Sequence, residues 1–153
     1  KRLYDMQHPE IPALSHYVPA HEGPEDELAK TFPLQLITWK GKNRANSTQY
    51  ANPCLIEAQQ QKLWINPQDA QKRGIAQGDI VRIHNARGIC EIPAEVTPRI
   101  IPGVVAMQAG AWWQPDEKGI DKGGCANVLS SARITALAKG NSHQTMLVEV
   151  AKA

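Results

Sequence analysis

The sequence lacks any long apolar run and any strong excess of charge. No stretch approaches the roughly 20 consecutive apolar residues that a membrane-spanning helix needs, so we expect no direct membrane insertion. The formal net charge is only +2, which does not indicate binding of nucleic acid or of an acidic membrane by bulk electrostatics. Aromatic residues make up 5% of the chain, too few to interleave with cations along a nucleic-acid surface. Any anion site must therefore be local.

Cysteine is also scarce. The three cysteines, Cys54, Cys90 and Cys125, lie far apart, without the close pairs or neighbouring histidines that a metal site needs. An odd number argues against a disulfide framework, so we expect three thiols without a chemical role. The first residues contain neither an initiator Met nor an apolar signal core, and we expect the chain to be part of a longer polypeptide.

Residues 1–31 have the composition of a Pro-rich linker arm. Five of the eleven prolines and three of the five histidines precede residue 34, without a sustained hydrophobic period. Such segments usually form extended connections. Prolines separate His8, His16 and His21, which share no common face, so we predict no metal site there. The folded domain is predicted to span 32–153.

Residues 64–105 are the part of the chain whose local structure is best specified. Asn66 can cap a helix, Pro67 suits the first helical position, and Gly74 can end the helix in a left-handed conformation. A short helix is therefore predicted over 67–73. Capping and turn formation account for the polar residues of this stretch, so we interpret it as scaffold.

A β-hairpin is predicted directly after this helix. Turn residues separate two β-type runs, 80–84 and 89–96, as in a hairpin. One face of the second run is apolar and carries Cys90, Ile92, Ala94 and Val96. Glu91 and Glu95 lie on the opposite face, which we expect to face water. Because Pro93 cannot donate a ladder hydrogen bond, this strand is predicted to lie at a sheet edge or to carry a bulge.

The remaining periodic segments complete a mainly β fold with short helices. Three more strands are predicted, at 34–39, 104–108 and 145–150. Two segments could be helical, at 127–129 and 132–138, and residues 51–62 fit either a helix or a loop. Five or six short strands with this turn spacing favour a closed barrel. Connections too long for hairpins imply non-local or parallel pairing.

Two loops carry residues suited to binding. The loop 40–48 follows a strand and contains Lys40, Lys42 and Arg44 together with amides and hydroxyls, a set that suits phosphate oxygens. A solvated basic turn is the alternative interpretation. The loop 109–125 is rich in glycine and holds two adjacent tryptophans. Loops of this length are often functional, and at least one tryptophan is expected at an interface rather than in the core.

Three segments together resemble a known family. They are FPLQLITWKGKNRANS, WINPQDAQKRGIAQGDIVRIHNARG and AEVTPRIIPGVVAMQAGAWWQPDEKGIDKGGCANVL. They are similar to the C-terminal dinucleotide-binding domain of the dimethyl sulfoxide reductase family of molybdenum enzymes, over about 32–151. The last segment looks most like the catalytic subunit of the iron-sulfur, membrane-anchored dimethyl sulfoxide reductases. The fold implied by this resemblance is a six-stranded double-psi β-barrel.

The resemblance also implies a set of cofactor-binding residues. In this family the domain caps a funnel that holds two molybdopterin guanine dinucleotides. The residues implied in the first loop are Thr38, Trp39, Lys40, Arg44, Asn46 and Ser47. Those implied in the later loops are Gln108, Trp113 and Asn127. Lys40 and Arg44 would neutralise a diphosphate, while the amides and hydroxyls would bond phosphate or pterin edges. Many relatives carry arginine near position 40 and histidine at 46, where this chain has Lys40 and Asn46.

The activity implied by the resemblance is that of a larger enzyme. Such an enzyme reduces an S-oxide or N-oxide in anaerobic respiration, with bis(molybdopterin guanine dinucleotide) molybdenum as cofactor. Its iron-sulfur cluster, metal ligand and catalytic side chains would lie upstream, so we expect no catalytic or metal-ligating residue in this chain. The implied partners are the upstream domains, an iron-sulfur electron-transfer subunit and a membrane-anchor subunit. The implied location is the periplasm, with membrane association through those subunits.

Other functions remain open at this point. The same domain occurs in formate dehydrogenases and nitrate reductases. A free-standing barrel that binds nucleotides or nucleic acid would need cations spread over a face, whereas here they cluster in one loop. A subunit-interaction module that docks through 109–125 is compatible with cofactor binding.

Overall fold

The computed structural model describes residues 2–9, 11–14, 16–135, 138–142 and 144–153. Over these residues six strands are present: β1 (Leu34–Trp39), β2 (Leu63–Ile65), β3 (Ile80–His84), β4 (Ile89–Val96), β5 (Val104–Gln108) and β6 (Met146–Lys152). The α-helices of the same residues are α1 (Arg2–Met6), α2 (Pro53–Ala58) and α3 (Pro67–Lys72). Two 3₁₀ turns add Glu27–Lys30 and Ala126–Leu129.

The strands close into a barrel in the order β1-β5-β2-β4-β3-β6. β1 pairs in parallel with β5, and β2 in parallel with β4, while the other neighbours are antiparallel. The predictions of a mainly β six-stranded barrel and of non-local parallel pairing are therefore confirmed. Closure gives each strand two hydrogen-bonded neighbours, which removes the exposed edges that an open sheet would present.

The barrel interior is filled by alternate residues of the strands. Leu34 and Leu36 of β1, and Val81 and Ile83 of β3, are at most 2% exposed, as the two-residue period of a strand requires. Side chains from the other strands complete the core: Leu63, Ile65, Cys90, Ile92, Ala94, Val105, Met107, Met146, Val148 and Val150.

Local turn chemistry produced the elements predicted in the central stretch. The side chain of Asn66 accepts a hydrogen bond from the Gln68 amide at 2.9 Å, and Gly74 follows the helix with φ +64°. α3 thus begins at the predicted Pro67. β3 and β4 form the predicted antiparallel hairpin, with Ile83 opposite Cys90.

Two expectations for β4 were wrong. Pro93 does not lie on an edge strand, because β4 pairs with β3 on one side and β2 on the other. The strand has no bulge at Pro93 either, because its register with β3 is unbroken. Pro93 faces Ile80, the first residue of β3, one residue before the pairing with β2 begins. Glu91 does not face water: it is 8% exposed, and the side chains of Arg82 and Lys122 bond its carboxylate. The loop that carries Lys122 covers this face of the barrel.

Three further segments differ from the sequence-based expectation or complete it. β2 has only three residues and was not predicted as a strand, while α2 resolves the ambiguous stretch 51–62 as a helix capped by Asn52. The helix expected over 132–138 is absent from the described residues 132–135 and 138, where Ile134 forms an isolated antiparallel bridge with Asn141. Residues 136 and 137 of that expectation lie outside the described part of the chain.

Helices in the described part of the chain are all too short or too polar to span a bilayer.

Candidate functional site

Parallel pairing brings the two candidate loops together. In the β1–β5 pair, Thr38 lies beside Met107 and Trp39 beside Gln108. Parallel strands end at the same edge of a sheet, so loops 40–48 and 109–125 leave the barrel side by side. The Ala109 amide donates to the Trp39 carbonyl at 2.9 Å, which continues the strand pairing into the loops.

The two loops touch at a glycine. Gly110 has φ +91°, a conformation that side chains rarely adopt. A Cβ atom on Gly110 would lie 1.8 Å from the carbonyl oxygen of Asn46. The indole N–H of Trp112 also donates to the Ser47 carbonyl at 2.9 Å. Close approach of the two backbones therefore requires glycine at this position.

A cleft of about 120 Å³ opens between these loops and the turn after residue 124. It is lined by Thr38, Ser47, Ala109, Gly110, Ala111, Cys125, Ala126 and Asn127. Three residues implied by the family resemblance, Thr38, Ser47 and Asn127, thus meet in one small space. The small residues of the wall were missed, although the run Ala-Gly-Ala at the end of β5 indicates a place where backbones approach closely.

The polar groups of the cleft have different surroundings. Thr38 forms two hydrogen bonds with the side chain of Gln144, both at 2.9 Å. The Gln144 side chain accepts one from the Thr38 amide and donates the other to the Thr38 hydroxyl. The Asn127 side chain is exposed, while its backbone carbonyl accepts from the amide and hydroxyl of Ser130. The turn is thus fixed through the backbone, and the Asn127 amide group is presented to the solvent side.

Asp121 holds the loop that ends at Asn127. Its buried carboxylate accepts from the amides of Gln114, Gly123 and Cys125 at 2.8, 3.1 and 2.6 Å. Hydrogen bonds to an ionised carboxylate are stronger than those between neutral groups. This residue was missed as a site determinant, although Gly-Ile-Asp formed part of the motif that carries the resemblance.

Burial controls the chemistry of the thiol in the cleft. Desolvation raises the pKa of Cys125, which lines the cleft, and also raises the pKa of the fully buried Cys90. A buried thiol with a raised pKa stays protonated and reacts slowly. The thiol of the partly buried Cys125 is therefore expected to be less reactive than an exposed thiol, and the absence of a chemical role for the cysteines stays a prediction.

Arg44 does not line the cleft. Its guanidinium is largely buried, donates to the side chain of Gln61 at 3.0 Å and lies 4.8 Å from the Tyr50 ring centroid. Desolvation lowers the pKa of Arg44. Gln61 in turn donates to the carbonyls of Gln108 and Gly124 at 2.8 and 3.0 Å. Sequence reasoning missed Gln61, which links loop 40–48 to both walls of the site.

Gln108 and Trp39 also lie away from the cleft. Gln108 is 1% exposed and donates to the Asn43 side chain, whereas its Oε1 atom has no hydrogen-bond partner among the described residues. Trp39 packs on Trp64, with 5.0 Å between ring centroids, in the wall of a separate cavity of about 350 Å³. The structure thus separates these two residues from Thr38 and Ser47.

The last three implied residues are at the surface. The ammonium group of Lys40 contacts the side-chain oxygen of Asn46, next to Ser47 of the cleft wall. Trp113 is 63% exposed. The cofactor-binding roles of all nine implied residues stay predictions, since the structure fixes their positions and not their ligand.

The structure is that of a closed six-stranded β-barrel domain with a small cleft between two loops. The sequence profile of the molybdopterin dinucleotide binding domain matches residues 34–147. The chain belongs to this family.

Similar proteins support the same assignment. The chain is 52% identical over 143 residues to dimethyl sulfoxide reductase DmsA of Escherichia coli K12, covering 93% of this chain and 17% of the relative. It is 41% identical to a trimethylamine-N-oxide reductase of Haemophilus influenzae, with 82% and 16% covered. The chain therefore spans about a sixth of the length of these relatives.

A solved structure confirms the fold. Acetylene hydratase from Pelobacter acetylenicus superposes with a TM-score of 0.78 over 99% of this chain and 22% of that chain. Sequence identity is 16%, so this similarity concerns the fold alone.

Replacing Asp121 by Asn is expected to loosen the loop. An amide nitrogen would face backbone donors, so the free energy of unfolding should fall by about 2 kcal/mol. Urea denaturation measures this, and amide exchange should accelerate at Gln114, Gly123 and Cys125. Glu117→Gln, in the same loop but exposed, is the matched control. Equal unfolding midpoints for the two variants would contradict the role of Asp121.

Replacing Gly110 by Ala is expected to separate the two loops. Gly119 also has positive φ, +78°, but no atom lies within 4 Å of the position that a Cβ atom would take there. Gly119→Ala is therefore the matched control, because it measures only the cost of the left-handed backbone conformation, about 1 kcal/mol. Gly110→Ala should lower the free energy of unfolding by about a further 2 kcal/mol because of the clash with Asn46. Urea denaturation measures the free energy of unfolding of both variants. An equal decrease in the two would contradict the role of the contact between Gly110 and Asn46.

Proposed function

We propose that this chain binds the pterin and phosphate region of molybdopterin guanine dinucleotide within a molybdenum oxidoreductase that reduces S-oxides or N-oxides. The observation that carries the proposal is the cleft, where Thr38, Ser47 and Asn127 converge between two loops. Membership of the dinucleotide-binding family supports the cofactor. The names of the relatives, dimethyl sulfoxide reductase and trimethylamine-N-oxide reductase, support the reaction class.

The chemistry of the cleft fits an edge of this cofactor. Two hydroxyls and a primary amide offer both donors and acceptors, which pterin edges and phosphate oxygens need. A volume of about 120 Å³ is below the range of whole small-molecule sites. The cleft therefore accommodates one ring edge or one phosphate, and other parts of the enzyme would hold the rest of the cofactor.

The chain's own residues would bind and orient the cofactor. When bound, the cofactor supplies the molybdenum and its oxygen-transfer chemistry. Ala109, Ala111 and Ala126 form an apolar part of the cleft wall. A cofactor edge that filled the cleft would displace water from the polar groups and so strengthen their hydrogen bonds. No side chain of this chain is assigned a catalytic or metal-ligating role, so its contribution to the reaction is positional.

Lys40 is the cation best placed for phosphate. It is exposed and contacts Asn46 in the loop that forms one cleft wall. Arg44 is engaged with Gln61 and Tyr50 instead. We therefore assign the larger share of phosphate attraction to Lys40, and to Arg44 the support of the loop.

The wider setting belongs to the same proposal. The parent enzyme would carry two dinucleotides, receive electrons through an iron-sulfur cluster and an electron-transfer subunit, and attach to a membrane-anchor subunit. We infer a periplasmic enzyme of anaerobic respiration. The family resemblance and the 52% identity to DmsA support this setting.

The alternative functions are less well supported. The relatives are named for S-oxide and N-oxide reduction, which favours that reaction over formate or nitrate chemistry. The family match disfavours a free-standing barrel that binds nucleotides or nucleic acid. Docking of another polypeptide through 109–125 has one specific observation in its favour, the 63% exposure of Trp113, and is compatible with cofactor binding.

Guanosine diphosphate provides a test of the phosphate site. Titration into the ¹⁵N-labelled chain is expected to shift the amide signals of Ser47 and Asn127 at millimolar concentrations. Lys40→Gln should weaken binding roughly threefold at low salt and less at high salt, since exposed charge pairs contribute modestly and are screened. Lys42→Gln, an exposed cation in the same loop, should leave binding unchanged.

Two results would contradict the proposed site. One is the absence of signal changes at Ser47 and Asn127 when the ligand reaches millimolar concentration. The other is an equal loss of affinity in the two lysine variants, which would indicate general attraction to a basic loop.

A further inference from the structure

The N-terminal arm buries a carboxylate against the barrel. Glu22 is 2% exposed, although the surrounding arm is largely at the surface. Its φ is +54°, in the left-handed region that residues other than glycine seldom occupy. Such a conformation persists only where surrounding contacts enforce it. A buried charge in an unfavourable backbone conformation indicates a specific attachment rather than a passive connection.

Arg87 supplies that attachment. It lies in the turn between β3 and β4 and forms two parallel hydrogen bonds with the Glu22 carboxylate, at 2.8 and 2.7 Å. The amide of Leu147 in β6 donates to the same carboxylate at 3.2 Å. Loss of one partner from a buried ion pair leaves the other uncompensated. The arm is therefore fixed to both the β3–β4 turn and strand β6.

The same guanidinium holds the end of the cleft turn. Arg87 donates through Nε and Nη2 to the Leu129 carbonyl at 2.9 and 2.7 Å, and the Asn85 side chain donates to it at 2.9 Å. Leu129 is the last residue of the 3₁₀ turn that contains Asn127. Gly88 packs against this turn so closely that a Cβ would lie 2.4 Å from the Val128 side chain.

We propose that Glu22 is a positioning residue for the cleft, acting through Arg87 and Leu129 on the turn that carries Asn127. Glu22 orients the guanidinium, and the guanidinium then fixes the carbonyl at the end of the turn. The functional unit thus includes a residue of the arm. What the cleft binds rests on the proposed function above, but the coupling between arm and turn does not.

Amide hydrogen exchange on the ligand-free chain tests this coupling. Val128 and Ser130 donate the backbone hydrogen bonds of the turn, to Cys125 and Asn127. Glu22→Gln is expected to accelerate their exchange about tenfold, as local opening becomes easier, and to shift the Asn127 side-chain amide signal. Exchange in β1 and β5 should stay within twofold. Glu25→Gln, a change of the same kind at an exposed position in the arm, should alter neither.

A double-variant comparison separates positioning from general stability. If Glu22 acts through Arg87, Glu22→Gln should accelerate exchange of Val128 and Ser130 much less in an Arg87→Gln chain than in the native one. The proposal would be overturned if Glu22→Gln accelerated exchange of Val128 and Ser130 by the same factor in the Arg87→Gln chain as in the native chain. It would also be overturned by acceleration of the whole barrel to the same degree, or by unchanged exchange in the turn.

A ligand measurement distinguishes this inference from the proposed function. Guanosine diphosphate should bind the Glu22→Gln chain roughly threefold more weakly than the native chain, as expected for indirect loss of one well-placed group. If guanosine diphosphate binds the native chain and Glu22→Gln changes neither amide exchange nor affinity, the inference is overturned and the proposed function stands. Altered exchange in a chain whose cleft never responds to ligand would support the coupling and contradict the proposed function.

Discussion

One buried carboxylate determines the shape of the site. Asp121 gathers the amides of Gln114, Gly123 and Cys125 on its side chain, and its backbone exchanges hydrogen bonds with Ile89 and Glu91 of β4 at 3.0 and 2.8 Å. A loop without regular structure must satisfy its backbone donors in some other way. Here the Asp121 side chain satisfies three of them, and the Asp116 side chain accepts from the amides of Lys118 and Ile120. Because the loop is thereby attached to the barrel wall, its last residues reach the cleft in a fixed position.

The barrel contributes the other half of the constraint. Parallel pairing of β1 with β5 joins two segments far apart in sequence and releases their loops at one edge. Gly110 then allows backbone contact with Asn46, and Arg87 secures the far end of the turn at Leu129. The cleft is therefore a product of long-range pairing and a few buried polar contacts. Its lining comes from three parts of the chain that are distant in sequence, at 38–47, 109–111 and 125–127.

Local signals explain what could be predicted from the sequence. β1, β3, β4 and β5 have the predicted bounds, because alternation and turn residues act over a few positions. β2 was missed since three residues cannot establish a period. The burial of Glu91 and the inward orientation of Arg44 depend on loops distant in sequence, so no local pattern reports them. The meeting of Thr38, Ser47 and Asn127 in one cleft likewise requires the parallel pairing; the family resemblance named these residues, but spacing did not.

The most direct measurement is the alkylation rate of Cys125, the thiol in the cleft wall, with and without guanosine diphosphate. A Cys54→Ser chain removes the exposed thiol, and Cys90 is fully buried. Because burial raises the pKa of Cys125, the reaction is followed at alkaline pH, where more thiolate forms. If the cleft binds the phosphate and pterin region of the cofactor, guanosine diphosphate slows alkylation in proportion to occupancy and guanosine slows it less. The account would be contradicted if guanosine diphosphate bound to the chain at saturation and the alkylation rate of Cys125 did not change.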